Sequence, residues 1–333
     1  MRKYIYLLLC VVCACKPNLD EVAEQTIDIM PLESWADSNA KEAIITFVEE
    51  VTTEGMPDYI QPEERIAVFD NDGTLWTERP YYFQLAYALD YIRDNAADHP
   101  EWSESENVSH IINGDMESFM KGGEHALLEA VMLSHAGMTA DEYRQSVKDW
   151  LETARHPKTN RPYNQMIFKP MLELLDYLRE NGFKTFIVSG GGIDFMRVWV
   201  EEAYGIPPYQ VVGSSIKAKY DSLNGELEII KLPEINFIDD KAGKPVGIHQ
   251  HIGMIPVMAF GNSDGDYEML QYTTLAPGRR MGVLIHHTDS VREYAYDRGS
   301  PIGGLERGLD NAEKNGWVIV DMATDWEEVY PSN

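Results

Sequence analysis

Short runs of consecutive apolar residues alternate along this chain with longer segments in which apolar residues recur at helical spacing. The uninterrupted runs indicate strands that are buried on both faces of a sheet. They occur at residues 66–69, 184–188, 256–260, 281–286 and 317–321. Two extended segments within 211–230 flank the turn signal Ser222-Leu223-Asn224-Gly225, which predicts a hairpin.

Helical segments separate most of these strands. Helices are predicted at 40–51, 170–180, 193–204 and 245–252. Because strands and helices alternate, we expect an α/β fold with a doubly wound, mostly parallel sheet.

One long stretch interrupts the alternation. Between Pro80 and Ala154 no convincing strand pattern occurs, and four helical segments follow one another at 81–96, 108–120, 124–136 and 139–153. We therefore predict an all-helical cap at 77–159, inserted into a core that is formed by 36–76 and 160–333.

The N-terminal segment has the pattern of an export signal. Arg2 and Lys3 precede nine apolar residues, too few to span a bilayer. The small residue before Cys15 resembles the lipobox of bacterial lipoproteins. We predict a signal over 1–15, lipidation of Cys15 and a polar tether over 16–35, which implies a protein of the bacterial cell envelope. An ordinary signal peptide and a cytosolic protein with an apolar tail are the alternatives.

The amino-acid composition and net charge limit the kinds of partner that this protein is expected to bind. The 44% of apolar residues suffice for a buried core, and all three cysteines lie in the N-terminal segment. With 28 Lys and Arg against 55 Asp and Glu, the net charge of −27 disfavours nucleic acid as a partner. We expect a small-molecule ligand, and membrane association only through the lipid anchor. A phosphorylated ligand would need cations supplied by the site itself.

Polar residues follow three of the predicted strands. Asp70 and Asp72 follow the first, Ser189 and three glycines the second, and the acidic segment 262–266 the third. Ligands of open α/β sheets bind beyond the carboxyl ends of strands, so we expect these groups to meet. Glycines after a strand offer backbone N–H groups to an anion, and oxygen ligands suit Mg²⁺.

These motifs resemble those of the haloacid dehalogenase (HAD) superfamily of phosphohydrolases. In order they are Asp70-x-Asp72-x-Thr74, Ser189, a lysine and the 262–266 cluster, and the resemblance spans about 60 to 290. It implies a Rossmann-like core. The position of the cap is similar to the C1 cap of the phosphoserine-phosphatase-like branch.

The resemblance also implies residue roles. Asp70 would be the nucleophile, and Asp72 the general acid and then base, with a pKa raised by the second carboxylate nearby. Ser189, Gly190 and Gly191 would hold phosphoryl oxygens.

Further ligand-binding roles are assigned to Thr74 and to Arg197, which lies one turn into a predicted helix. For the family's lysine we favour Lys244, at the start of a predicted helix, over Lys241 and then Lys231.

The metal loop departs from the family pattern. The family puts Asp directly after the glycine, whereas this chain has Asn262 there, with Asp264 and Asp266 following. We predict a Mg²⁺ site drawn from Asp70, Asp72 and these three residues, and Asp264 is the candidate to replace the missing carboxylate.

The predicted activity is Mg²⁺-dependent hydrolysis of a small phosphomonoester, with phosphoserine suggested by the cap. A phosphotransferase, a phosphonatase using Lys121 or Lys148, and a non-catalytic phosphate-binding lipoprotein are the alternatives. Trp76, Glu78 and Arg79 are candidates to line the entrance, with ordinary packing as the competing interpretation.

Overall fold

The computed structural model describes residues 31–223 and 225–332. The predicted signal over 1–15, including Cys15, and the tether up to residue 30 lie outside the described residues. Residues 31–35, predicted as the end of the tether, instead belong to the core. Trp35 is buried against Trp326, and its indole N–H donates to the carbonyl of Pro170 at 2.9 Å.

Seven strands of the described residues form one sheet. They are β1 (Ile66–Phe69), β2 (Lys184–Gly192), β3 (Val211–Leu223), β4 (Glu226–Phe237), β5 (Met258–Gly261), β6 (Met281–His286) and β7 (Val318–Asp321). Their order is β4-β3-β2-β1-β5-β6-β7, and every pair is parallel except β3–β4. The predicted mostly parallel sheet is confirmed, and the hairpin β3–β4 is longer than its turn signal suggested.

Helices pack around this sheet. They are α1 (Asn39–Thr52), α2 (Phe83–Asn95), α3 (Glu106–Ile112), α4 (Met116–Lys121), α5 (Gly123–Leu133), α6 (Ala140–Thr153), α7 (Lys169–Glu180), α8 (Ile193–Met196), α9 (Val200–Tyr204), α10 (Gly243–His251), α11 (Tyr267–Thr274), α12 (Arg307–Asn315) and α13 (Met322–Asp325). Two single-helix predictions were wrong, because 108–120 divides into α3 and α4, and 193–204 into α8 and α9.

The sheet is buried on both faces, as the apolar runs predicted. Along β1, Ala67 and Phe69 enter a core with α1 and α7, whereas Ile66 and Val68 enter a second core with α10 and α11. Successive side chains of a strand point to opposite faces, so a four-residue apolar run supplies both cores. The doubly wound arrangement follows from this double burial.

The segment between β1 and α7 is helical, as predicted. It contains α2 to α6 and no strand among its described residues, only isolated bridges. Side chains of α2, α3, α4 and α5 form a third hydrophobic core around Leu89, Phe119 and Ala126. Backbone hydrogen bonds from Gly137 and to Met138 join this helical segment to Lys231 of β4. The helical segment is therefore hydrogen-bonded to the edge strand of the sheet.

Candidate active site

The carboxyl ends of β1, β2 and β5 meet at one edge of the sheet. Phe69 pairs with Ile187 on β2 and with Phe260 on β5, and the Asp70 amide donates to the Phe260 carbonyl at 2.9 Å. A cavity of about 450 Å³ opens there, and Asp70, Asp72, Ser189 and Lys244 are among its lining residues. The meeting of the strand ends, expected from parallel topology, brings these four predicted residues together.

Lys244 bridges two buried carboxylates. Its Nζ donates to Asp70 Oδ1 at 2.7 Å, to Asp266 Oδ1 at 2.5 Å and to the Val188 carbonyl at 3.0 Å. Burial by itself lowers the pKa of Lys244, but the charges of Asp266 and Asp70 raise it by more. The net pKa is above its ordinary value, so the ammonium stays protonated. Burial and the charge of Asp266 raise the pKa of Asp70, against the pull of Lys244. One ammonium therefore does not balance this group of carboxylates.

The two competing lysines lie elsewhere. The Lys241 side chain is 66% exposed, and its nearest carboxylate is Asp240 at 3.8 Å. Lys231 is buried but forms an ion pair with Asp194. Among the three candidates, Lys244 alone contacts Asp70.

Asp72 is held by an indole. Trp76 is fully buried, stacks on Trp199 and donates its Nε1 to Asp72 Oδ1 at 2.8 Å. Burial raises the pKa of Asp72 to about 6, while the Trp76 hydrogen bond and the Lys244 charge lower it. The raised pKa is the one that a general acid needs, but its cause is burial and not the neighbouring carboxylate that we expected.

The turn between the two aspartates and Trp76 requires glycine. Gly73 has φ +76°, and a Cβ on it would collide with the Asn262 side chain. Thr74, assigned to substrate binding, is fully buried, and its hydroxyl donates to Asn262 Oδ1 at 3.1 Å. Thr74 therefore orients the Asn262 amide, and the assignment to substrate contact was wrong.

Glu78, a candidate to line the entrance with ordinary packing as the competing interpretation, is a buried acidic residue of the site. It lines the cavity and is only 2% exposed. Its Oε1 accepts from Asn262 Nδ2 at 2.8 Å and from the Tyr296 hydroxyl at 2.7 Å. Burial raises the pKa of Glu78, and the charges of Asp72 and Asp70 add to the shift although the Tyr296 hydrogen bond opposes it. Two features of the sequence point to this role. An acid, Glu78, lies four residues after Thr74, and an amide, Asn262, stands where the family has an acid.

Asp264 does not replace the missing carboxylate. Its Oδ1 accepts from the Gly308 amide at 2.9 Å, and its Oδ2 from the amides of Glu306 and Arg307 at 3.1 and 3.0 Å. These are the free N–H groups at the start of α12, which carboxylates commonly cap. The prediction of Asp264 as a metal ligand was wrong.

Asp266 is a positioning residue. It is fully buried, and its Oδ2 accepts from the amides of Asn262 and Ser263 at 3.0 Å each. Because Asp266 Oδ1 accepts from Lys244, these contacts of Asp266 hold both the 262–266 loop and the lysine in place.

The Ser189-Gly190-Gly191-Gly192 segment ends β2 and does not open a long helix. Gly191 donates to Ser189 Oγ at 3.1 Å, and Gly192 donates to Gln84 Oε1 at 2.6 Å. A Cβ on Gly191 would lie 3.4 Å from Asp72 Oδ2, so the segment borders the catalytic turn. Ser189 and the glycines line the cavity as predicted, but α8 has only four residues. The N-terminus of a long helix, which we expected to help bind an anion beside these glycines, is therefore not present at this segment.

Arg197 does not join the site. Its guanidinium donates to the Pro208 carbonyl at 2.9 Å and to the Val211 carbonyl at 3.3 Å, on the exposed side of the molecule. The prediction that it contacts the substrate was wrong.

The donor set fits a hard dication. The described residues contain no group of three or more His, Cys, Asp or Glu side chains that could hold a metal ion. Oxygen ligands of other kinds are nevertheless present, since the Asp72 carbonyl belongs to the turn that follows Asp70 and the Asn262 amide contacts Thr74 of this turn. Asp70 and Asp266 share the buried Lys244 ammonium, and the charges of Asp72 and Asp70 raise the pKa of Glu78, so a bound cation would relieve the repulsion among these carboxylates.

Among the described residues, no helix is both long and apolar enough to cross a membrane.

Two solved structures share the fold with TM-scores above 0.5, and a third is similar at a lower score. A protein of unknown function from Bordetella pertussis Tohama I is 15% identical with a TM-score of 0.51, over 78% of this chain and 99% of that chain. A conserved functionally unknown protein from Anaerococcus prevotii DSM 20548 is 15% identical with a TM-score of 0.54, over 84% and 91%. A phosphoserine phosphohydrolase-like protein from Francisella tularensis is 15% identical with a TM-score of 0.39, over 75% and 98%.

No curated protein matches this chain. The family model described as haloacid dehalogenase-like hydrolase matches residues 67–271, which is more than half of the chain. Those residues contain Asp70, Asp72, Ser189 and Lys244, which line the cavity, and Asp266, which holds Lys244. The chain belongs to the haloacid dehalogenase-like hydrolase family.

Proposed function

We propose that this protein is a Mg²⁺-dependent phosphomonoester hydrolase that works through an aspartyl-phosphate on Asp70. The observation that carries the proposal is one cavity lined by a carboxylate bound to a buried ammonium, Asp70 with Lys244, and by a second carboxylate of raised pKa, Asp72. These are the nucleophile, the charge-neutralising group and the acid that a two-step phosphoryl transfer requires.

In the first step, Asp70 Oδ2 attacks phosphorus while Oδ1 remains on Lys244. The bond between phosphorus and the ester oxygen breaks, and Asp72 transfers its proton to the departing alkoxide. Ser189 and the glycines that line the cavity hold the phosphoryl oxygens. The products of this step are the alcohol and an acyl phosphate on Asp70.

In the second step, the Asp72 carboxylate takes a proton from water, whose oxygen attacks phosphorus. The bond to Asp70 breaks, so inorganic phosphate leaves and both aspartates return to their starting state. The Trp76 indole N–H holds Asp72 through both steps, because its hydrogen bond is made by either protonation state.

When bound, Mg²⁺ would neutralise repulsion between the Asp70 carboxylate and the phosphate. The residues that would hold it are Asp70, the Asp72 carbonyl and Asn262, whose Oδ1 faces Thr74. Glu78 would supply the negative charge that Asn262 lacks, because its carboxylate is hydrogen-bonded to the Asn262 amide.

Trapping the covalent intermediate tests this function. Wild-type protein is mixed with ³²P-labelled phenyl phosphate and Mg²⁺, quenched in acid and digested, and we expect label on the peptide that contains Asp70. Asp70→Asn should lose both label and turnover, whereas the matched variant of an exposed carboxylate, Asp98→Asn, should keep both. Phosphate release by Asp70→Asn at the wild-type rate would disprove the assignment.

The alternatives have less support. Lys121 is exposed and pairs with Glu117, and Lys148 is exposed as well, so neither lysine lines the cavity as a phosphonatase would need. Placement in the phosphoserine-phosphatase-like branch stays a prediction.

We also propose export to the cell envelope and lipidation of Cys15. The support is the pattern of residues 1–15. Mass spectrometry of the mature protein should find an acylated cysteine at its N-terminus, and an unmodified N-terminus elsewhere would contradict the proposal.

A further inference from the structure

The cavity is larger than a phosphate group requires. Its volume of about 450 Å³ falls in the range of about 300–1,000 Å³ that is typical of pockets for whole small molecules. The catalytic groups lie at the carboxyl ends of the strands, and side chains of α5 and of the hairpin β3–β4 form two further walls of the cavity. The remainder of the substrate must therefore lie between these walls.

Both walls present apolar side chains that pack in no core. Leu128 and Met132 lie one turn apart on α5, and Ile216 and Ile235 are paired across β3 and β4. Together with Ile238, they line the cavity but belong to none of the three hydrophobic cores of the described residues. Ile235 is 40% exposed. Apolar side chains that a folded chain leaves open in a cavity mark a surface for an apolar ligand group.

The described side chains that line the cavity include no free cation for a second anionic group of the substrate. The lining carboxylates are Asp70, Asp72, Glu78, Asp194 and Asp240. The lining cations are Lys244, already held by two carboxylates, and Lys241, which is mostly exposed. Burial lowers the pKa of His135 to about 4, so this residue is neutral at pH 7.

A substrate carboxylate such as that of phosphoserine would therefore be buried without a cationic partner. The lining residues include no arginine, the side chain that binds carboxylates in two-point geometry. An unpaired buried charge costs several kcal/mol, which is enough to make phosphoserine a poor substrate.

We infer that the substrates are phosphate monoesters of uncharged, largely apolar alcohols, of alkyl or aryl type. This inference rests on the proposed function and specifies its substrate class. The ester oxygen lies at Asp72, and the apolar portion of the alcohol lies between α5 and the hairpin.

A homologous series of n-alkyl phosphates tests the inference by phosphate release. Ethyl, butyl and hexyl phosphate have nearly the same leaving group, so differences in kcat/KM report contacts beyond the ester oxygen. We expect kcat/KM to rise roughly two- to fourfold per methylene, and to be lowest for O-phosphoserine. No dependence on chain length, or a preference for phosphoserine or for nucleoside monophosphates, would overturn the inference and leave the proposed function intact.

Wall variants localise the effect. Leu128→Asn and Ile235→Asn should each lower kcat/KM for hexyl phosphate at least about tenfold more than for ethyl phosphate. The control is Val291→Asn, since this valine is 88% exposed and lies outside the cavity, and it should not alter the ratio. Equal losses for both esters would show that the walls do not select the alcohol.

A binding experiment separates this inference from the proposed function. Hexylphosphonate and methylphosphonate cannot be hydrolysed, so calorimetric titration compares them even if the protein releases no phosphate from any ester. Tighter binding of hexylphosphonate supports the inference whatever the turnover. Equal binding refutes it.

Discussion

Asp239 is a buried carboxyl group without a hydrogen-bond partner, and it makes the stability of this protein depend on pH. It is fully buried directly before Asp240, and neither carboxylate oxygen has a hydrogen-bond partner within residues 31–223 and 225–332. Burial raises the pKa of Asp239 to about 7, and the charge of Asp240 adds to this shift, although the charge of nearby Lys244 opposes it. Substitution by asparagine keeps the shape of the side chain and removes its ionisation.

The size of the effect follows from the difference between the folded and unfolded pKa. With an ordinary pKa of 3.8 and a folded pKa of about 7, the folded state binds the proton more tightly. The stability contributed by the proton is complete below pH 4 and is lost as the pH rises to 7. About 3 units at 1.36 kcal/mol each amount to about 4 kcal/mol, most of it lost within this window.

Urea unfolding at pH 4, 5, 6 and 7 measures the effect. We expect the free energy of unfolding of Asp239→Asn, relative to wild type, to rise by about 3 kcal/mol from pH 4 to pH 7. Asp98→Asn, which removes an exposed carboxylate, is the matched control and should show a nearly constant difference. A flat difference for Asp239→Asn would refute the claim that this carboxyl is buried without a partner.

Three further predictions concern the catalytic groups. Asp72→Asn should release about one equivalent of nitrophenolate from 4-nitrophenyl phosphate in a burst and then stall. Nitrophenolate leaves without being protonated, but the attacking water must lose a proton to a base. Steady turnover would contradict the role of Asp72 as that base. Lys244→Ala should lower kcat at least about a hundredfold and destabilise the fold, since two buried carboxylates lose their counter-ion. Lys241→Ala should do neither, and equal effects in the two variants would refute the assignment. Glu78→Gln should weaken Mg²⁺ binding roughly tenfold or more by calorimetry, whereas Asp264→Asn should leave it unchanged but cost about 1 kcal/mol of stability as a lost helix cap. Unchanged Mg²⁺ affinity in Glu78→Gln would contradict its role.

Local sequence patterns were enough to predict the framework of the fold. The run Ile66-Ala67-Val68-Phe69 is apolar at every position because both of its faces are buried, so its place in the middle of a parallel sheet can be predicted from four residues. Asp70 and Ser189 could be singled out because each comes directly after such an apolar run in the sequence. Lys244 could be chosen because it lies at the start of a helix.

Tertiary structure alone decided what the remaining acids do. Asp264 and Asp266 lie in the same loop, but one caps α12 and the other holds Lys244. Glu78 reaches the metal loop through Asn262, a contact between residues 184 positions apart.

The physical reason is that the role and the pKa of a carboxylate depend on what is packed against it. Those neighbours come from distant parts of the chain, whereas a periodic pattern reports only whether each position is buried. The apolar walls of the cavity follow the same rule, since the pattern at Leu128 and Ile235 is that of ordinary core residues, but the fold leaves both in the cavity and in none of the three cores.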